Sequence, residues 1–250
     1  MRTRIVLLGV LLGVLASLTG CTGQGVSGPA NVSPPAGPDP TQVVRELAET
    51  MRAARTVRYE GSVTTWPGTQ NATISGSYDF TTRRGEGRVT SSPDQTIEVI
   101  NDGDVVYVKM PGLPRWVRAD LGQVMVSAPD LYSHLEVIAG MDDVQAAGTA
   151  VVRGVSTRHF TGTIDLRKYL SQTGFKPEEL TIVPAGSTVQ VDVYLDSNNL
   201  LRRLEITAPD DGPWGGTATT DYFDYGADVS IQVPDPSQVD ELTPPPAGGQ

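Results

Sequence analysis

Few side chains here carry reactive groups, and their spacing limits what they can do. There is one thiol, Cys21, and there are two imidazoles, His134 and His159. Neither histidine stands in an H-x-x-x-H spacing that would set two nitrogens on one metal ion, and no G-x-S-x-G turn supplies a serine nucleophile. Both read as packed or surface residues. The acidic pairs Asp142-Asp143, Asp210-Asp211 and Asp240-Glu241 lack the D-x-D-x-D-G alternation of a calcium loop and read as solvated turn charges. Gly85 and Gly87 flank Glu86 without forming a phosphate-cradling loop, and hairpin geometry accounts for them. No catalytic residue, metal site or cofactor is expected, and the chain reads as a non-enzyme.

Cys21 is different because of what precedes it. Arg2 and Arg4 are followed by an uninterrupted weakly polar to apolar run of fourteen residues, Ile5 to Leu18. Such a run is too short for a comfortable membrane span of about 20 residues and reads as the core of a signal peptide, residues 1–20. Thr19 and Gly20 are small enough to admit a peptidase to the bond before Cys21. Leu18-Thr19-Gly20-Cys21 resembles a lipobox, the cleavage motif of bacterial lipoproteins. That resemblance implies cleavage before Cys21, a thioether-linked diacylglycerol on its sulfur, and a further acyl chain on the new amino group. Two or more chains hold a protein on a membrane stably where one does not. The expected location is the outer, extracytoplasmic face of the cell membrane, with the membrane itself as a partner through the lipid.

The lone cysteine is then consumed by the anchor, which leaves no disulfide to staple the fold. Removal of residues 1–20 takes Arg2 and Arg4 with it and leaves 17 basic against 29 acidic residues, a net charge of −12. That balance argues against a nucleic-acid partner and against a polybasic grip on anionic lipid.

Residues 21–38 are rich in Gly, Pro and Ser and read as a flexible spacer behind the lipidated cysteine. A domain is expected over 39–235, and a loose Pro- and Gly-rich tail over 236–250. Asp39 can cap a helix, Pro40 suits its first turn and Gln42 stands in the capping-box position. Val43, Val44, Leu47, Ala48, Met51 and Ala54 recur every three or four residues, the buried stripe of one helix of about four turns.

From Val57 the period changes to two. Strands are predicted over 57–66, 71–81, 86–91, 96–101, 105–110 and 115–119, with Asp102-Gly103 as the strongest hairpin turn. A short helix around Leu131 to Ala139 interrupts them. Strands follow over 144–147, 151–153 and 157–164, then a helix over 165–172 and a helical turn from Pro177. Val189, Val191, Val193 and Leu195 alternate with polar residues as a half-buried strand. Strands over 200–208 and 217–225 complete the set, with 229–233 as a further edge. The economical arrangement is α+β: a strongly curved antiparallel sheet of about ten strands, a half-barrel, with the helices on its concave face.

The order and texture of these segments resemble a family. The lipobox, the Pro-rich spacer and the first helix lead into Val57-Arg58-Tyr59-Glu60-Gly61-Ser62-Val63 and Ile74-Ser75-Gly76-Ser77-Tyr78. Val106-Tyr107-Val108-Lys109, Trp116-Val117 and Val193-Tyr194-Leu195-Asp196 followed by Leu201-Arg202-Arg203-Leu204 complete the likeness. Together they resemble the actinobacterial LppX/LprAFG-type lipoproteins over residues 40–235. The resemblance implies a curved sheet facing helices, similar to the LolA and LolB carriers. For some members it also implies a cavity that takes up acylated lipids or lipoglycans. It offers no lining motif, so the ligand-binding residues stay unknown at this stage.

The function expected is a membrane-anchored envelope lipoprotein, a monomer, that binds and carries or presents an acylated ligand between sheet and helices. The alternative is a non-carrying interaction or signalling module of the same fold with a filled core. The three tryptophans, each beside turn residues, read as plugs at sheet corners, the alternative being that they line a cavity mouth or touch the membrane interface. Tyr59, Tyr78, Phe80, Tyr107, Phe160 and Tyr222 are candidates for a concave wall, and core packing accounts for them equally well.

Overall fold

A computed structural model describes residues 38–65, 70–92, 95–120, 131–172, 177–209 and 215–241. The lipobox residues Leu18, Thr19 and Gly20, the anchor Cys21, the signal peptide, the spacer to residue 37, Trp66, Trp214 and the Asp210-Asp211 pair lie outside them.

The first helix starts where the sequence places it. The Asp39 carboxylate accepts the Thr41 backbone N–H at 3.0 Å, and Pro40 occupies the first turn. Gln42 does not close a capping box; its amide donates along the helix to Glu46 at 2.9 Å. The single helix expected is two segments, α1 (Pro40–Arg45) and α2 (Leu47–Ala53), joined at Glu46. The apolar stripe runs across the joint, for Val43, Val44, Leu47, Ala48 and Met51 are all buried. Arg55, at φ 69, ends the helix and turns the chain into the first strand.

Six strands follow: β1 (Thr56–Thr65), β2 (Gln70–Asp79), β3 (Arg84–Ser92), β4 (Gln95–Asp102), β5 (Val105–Lys109) and β6 (Trp116–Asp120). Then come α3 (Leu131–Ala139), β7 (Asp142–Val152), β8 (Val155–Asp165) and α4 (Leu166–Gln172), a 3-10 turn at Glu179–Ile182, β9 (Thr188–Leu195), β10 (Leu201–Ala208) and β11 (Gly216–Phe223). A last 3-10 turn, Pro236–Gln238, leads into β12 (Val239–Glu241). The strands form one unclosed sheet in the order β12-β6-β5-β4-β3-β2-β1-β11-β10-β9-β8-β7, antiparallel throughout except that β12 runs parallel to β6. This is the curved half-barrel expected, with twelve strands where about ten were predicted.

Four details differ from the sequence reading. The segments 144–147 and 151–153 are one strand, β7, interrupted by bulges and by Gly148 at φ 113. The stretch 229–233 is not a strand, although its alternation is real and Ile231 is buried. It belongs to an extended strap, held at its start by bonds from Gly226 N to Thr56 O and from the Thr56 hydroxyl to Ala227 O. The strap delivers β12 to the open edge of β6, so an ordered strand stands inside the stretch expected to be loose. The β4–β5 turn is centred on Gly103 and Asp104, with Gly103 alone at positive φ (62), the pattern of a II′ turn.

Alternation along β1, β2, β9 and β10 sends Val57, Tyr59, Tyr78, Val191, Val193 and Leu204 to one face, where they join α1 to α4 in a single buried cluster. Along the helices, α1 packs on β7, α2 on α3, α3 on α4 and α4 on β8. Among the described residues no helix is long and apolar enough to cross a membrane.

Candidate functional site

The concave face is not uniformly filled. Strand polarity gives the sheet two ends. At one, here the far end, β1, β3 and β10 begin and β2, β9 and β11 finish; at the other these strands exchange roles. Near the far end the interior is solid: Met51, Val57, Leu195 and Leu201 are fully buried, and the Tyr225 hydroxyl bonds both Leu201 O and the Met51 sulfur. Towards the other end the inward side chains shorten and separate. There a cavity of about 340 Å³ lies between the sheet and the helices α3 and α4.

The sheet side of the cavity is built by register. Val63 of β1 stands beside Ala218 of β11, which stands beside Ile206 of β10; Ile74 of β2 stands beside Val89 of β3. All five line the space. Leu131 and His134 of α3 and Leu166, Tyr169 and Leu170 of α4 form its roof. The lining is dominated by aliphatic and aromatic carbon, with a hydroxyl from Thr220, whose side chain shares the inward register of Ala218 and Tyr222.

Its floor depends on glycine. A Cβ at Gly76 would stand 2.5 Å from the Tyr59 hydroxyl, and one at Gly87 would stand 2.7 Å from it, so the Tyr59 side chain lies across two strands that present no side chain there. The hydroxyl donates to the Glu86 carbonyl at 3.1 Å. Gly85 is similarly covered by the Tyr78 ring. Gly85 and Gly87 are therefore residues of β3, within the β2–β3 hairpin, that accommodate rings from the same face. Tyr222 completes the floor, its ring centroid 6.5 Å from that of Tyr59. Burial pushes both phenols well above their ordinary value, helped at Tyr59 by the Glu86 charge. Burial alone pushes the Tyr169 phenol up to about 12. Neutral phenols in an apolar chamber offer neither a base nor a nucleophile at physiological pH.

Of the six aromatic residues proposed for a concave wall, Tyr59 and Tyr222 line the cavity. Tyr78, Phe80 and Phe160 are buried in the filled part of the core, and Tyr107 points to the opposite face, between the inward Val106 and Val108. His134 lies at the roof, its ring 6.1 Å from that of Tyr169. His159 is on the outer face, where its Nε2 lies 2.7 Å from Asp192 and its ring stacks on Tyr194 at 4.3 Å. Gln190 donates to the same carboxylate at 2.9 Å, and the Tyr194 hydroxyl donates to Glu205 at 3.2 Å. These contacts tie β8, β9 and β10 together. Asp240 and Glu241, one of the acidic pairs, face Arg115 at 2.7 Å and Arg118 at 3.3 Å. Among the described residues no group of three or more His, Cys, Asp or Glu is placed to hold a metal ion.

Beyond Tyr59 and Tyr222 the sequence named no lining residue, because inward residues that pack and inward residues that face space carry the same alternation. The interior glycines Gly76, Gly85 and Gly87, aligned across β2 and β3, were the available signal for where the wall thins.

No family model matches the chain. A protein of Streptomyces griseus described as an uncharacterized 31.2 kDa protein in the rplA-rplJ intergenic region is 27% identical over 173 residues, 60% of this chain. The match spans 55% of that relative's length. Among solved structures, the lipoprotein LppX of Mycobacterium tuberculosis aligns with a TM-score of 0.54 at 18% identity, covering 79% of this chain and 100% of LppX. LprF of Mycobacterium bovis aligns with the same score at 15% identity, covering 79% of this chain and 98% of LprF. The half-barrel assembled here from its strand registers is thus the fold of the mycobacterial lipoprotein LppX and of LprF.

Proposed function

We propose that this chain is an envelope lipoprotein, held by an acylated Cys21 on the outer face of the cell membrane, whose half-barrel takes up one acyl chain and carries or presents it. The observation that supports this reading is the apolar chamber roofed by α3 and α4. At about 340 Å³ it falls near the lower end of the roughly 300–1,000 Å³ typical of ligand pockets, a size that favours a single chain over several. A chain of about 15 methylenes costs roughly 12 kcal/mol to expose to water, at about 0.8 per methylene, so a lipid needs such a shelter to leave a bilayer. The site's chemistry fits that task, since its lining is mainly carbon surface with the Thr220 hydroxyl, the His134 ring and buried phenols. The alternative of a non-carrying module requires a filled interior, and this chamber counts against it.

The test is native mass spectrometry of the protein purified from its own host, beside the variant Ala218→Phe, which places a ring in the middle of the chamber. The expected result is one additional lipid mass on the parent protein and none on the variant, with unchanged far-ultraviolet circular dichroism. A parent protein that is empty and fails to take up a fluorescent fatty acid would remove the carrier reading.

A further inference from the structure

Four large apolar side chains are conspicuously exposed among the described residues: Met110 (40%), Leu113 (42%), Ile182 (65%) and Val151 (72%). Their positions in the sheet are not random. Met110 and Leu113 lie in the β5–β6 connection, at the end where β1 and β3 finish and where Thr64, Ala208 and Gly216 bring the cavity lining to the last strand residues. Ile182 stands just before Val183, whose carbonyl accepts from Arg167, next to the paired end of β8 and start of β9. Three of the four therefore share the cavity's end of the sheet. Val151 lies at the opposite end, in the β7–β8 hairpin.

The β5–β6 connection also differs in charge from the turns of the far end. The far end holds the ion pairs Arg84–Asp102, Arg83–Asp104, Arg202–Asp196 and Arg58–Asp224 in its turns. The β5–β6 connection is Met110-Pro111-Gly112-Leu113-Pro114, without a charge, between Lys109 and Arg115. The Lys109 ammonium lies 5.8 Å from the centre of the half-buried Trp116 ring. An uncharged apolar tip backed by a tryptophan and the Lys109 ammonium, with Arg115 held at 2.7 Å by Asp240, matches the layering of a bilayer surface, where side chains meet carbon, then the interface, then phosphate. Acidic residues at this end include Asp142 and Asp143 at the β7 corner, Asp165 at the end of β8, Glu178 and Glu179 in the turn that carries Ile182, and Asp240, which pairs with Arg115; none lies within the β5–β6 connection.

We propose that this end is a bilayer-contacting rim, in which Met110, Leu113 and Ile182 enter the interfacial layer and bring the cavity mouth against the lipid from which its chain is drawn. The occupant is a phospholipid surface. The inference rests on the carrier reading for its purpose, while its geometry rests on the exposed residues alone.

The experiment uses the full chain on vesicles of phosphatidylcholine and phosphatidylglycerol in which one lipid carries a photoactivated diazirine near its headgroup, with labelled peptides located by mass spectrometry. Label is expected on the peptides holding Met110, Leu113 and Ile182 and absent from that holding Val151. Equal labelling of the two ends, or labelling of Val151 alone, overturns the rim. In a second arm the triple variant Met110→Ser, Leu113→Ser, Ile182→Ser should slow transfer of a fluorescent fatty acid from vesicles by about tenfold. Its uptake of the same probe from free solution should be unchanged, which also shows that it folds. Unchanged transfer from vesicles overturns the proposal. Ala218→Phe separates the two ideas: it should abolish uptake by either route and leave the photolabelling pattern intact, so loss of the carrier reading would not be mistaken for loss of the rim.

Discussion

The Tyr59 hydroxyl reaches from β1 across β2 to the Glu86 carbonyl of β3, 3.1 Å away, and passes over Gly76 to do so. One ring thereby fixes the relation of three strands and forms the floor of the cavity. The contact needs a bare backbone beneath it, which ties the position of a tyrosine to the positions of two glycines on other strands.

That dependence gives an ordered prediction. Gly76→Ala puts a methyl group against the Tyr59 ring and the Glu86 carbonyl, neither of which can leave without breaking the sheet, so it should cost about 2–3 kcal/mol as an overpacked site. Gly87→Ala meets only the hydroxyl at 2.7 Å, its next neighbours lying at 3.6 Å and beyond. Its smaller cost should be largely recovered by Tyr59→Phe, whereas Gly76→Ala should not be. Urea denaturation of the three single and two double variants measures this; equal rescue of both glycines would contradict the geometry.

Asp196 closes the β9–β10 turn from the inside. Its carboxylate is buried and accepts from Asn198 N at 2.8 Å, Leu200 N at 3.0 Å and Arg202 Nε at 2.8 Å. Asp196→Ala leaves two backbone donors and a guanidinium without their acceptor and should cost about 3 kcal/mol. Asp196→Asn keeps one oxygen for the turn and should cost about half as much. Chemical denaturation read by tryptophan fluorescence tests the ratio, which must exceed one for the turn bonds to matter.

The buried phenols set an alkaline limit. Tyr59, Tyr222 and Tyr225 are held well above their ordinary value by burial, and burial lifts Tyr169 to about 12. Tyr194 is raised to about 12 first by burial and then by Glu205 and Asp192, against the opposing charge of Arg203. Below about pH 10 both folded and unfolded chains hold these protons, and the full stability is present. As pH rises further the unfolded chain releases them first, so stability falls progressively towards the folded values. The melting temperature should hold steady up to about pH 9 and drop steeply by about pH 11.5, with tyrosinate absorbance appearing together with unfolding. Phenols that titrate near their ordinary value in the still-folded protein would refute the burial described here.

How much of this was legible before the fold was known differs from element to element. The helix start was fully stated by Asp39 and Pro40, because a cap is a local hydrogen bond. The strand faces were stated by alternation, as in Val189, Val191 and Val193. What alternation cannot state is occupancy: Val191 is fully buried in packed core and Val63 borders open space, yet both are inward valines of central strands. The difference lies in which helix stands opposite, a relation between residues far apart in the chain. The joining of 144–147 to 151–153 was hidden for another reason. Gly148 and its bulge look like a strand end locally, and only the partner strand β8 carries the ladder across.

The strand β12 was missed because proline and acid content governs local order and says nothing about an edge in need of cover. Val239 to Glu241 run beside Trp116 to Arg118, with the Arg115 guanidinium donating to Val239 O at 3.0 Å and Arg118 facing Glu241 at 3.3 Å. Three parallel residues add little ladder energy, and exposed ion pairs contribute roughly 0–1 kcal/mol each. Their larger effect is to occupy the free N–H and C=O groups of β6, which would otherwise template pairing with a second chain. A chain ended at Asp235 should therefore melt only a few degrees below the parent but associate at concentrations where the parent does not. Arg115→Ala and Arg118→Ala together should move it partway in the same direction. Light scattering coupled to gel filtration decides the matter, since a truncated chain with the parent's mass profile at every concentration would mean that β6 needs no cover and that the strap serves only to bury Ile231.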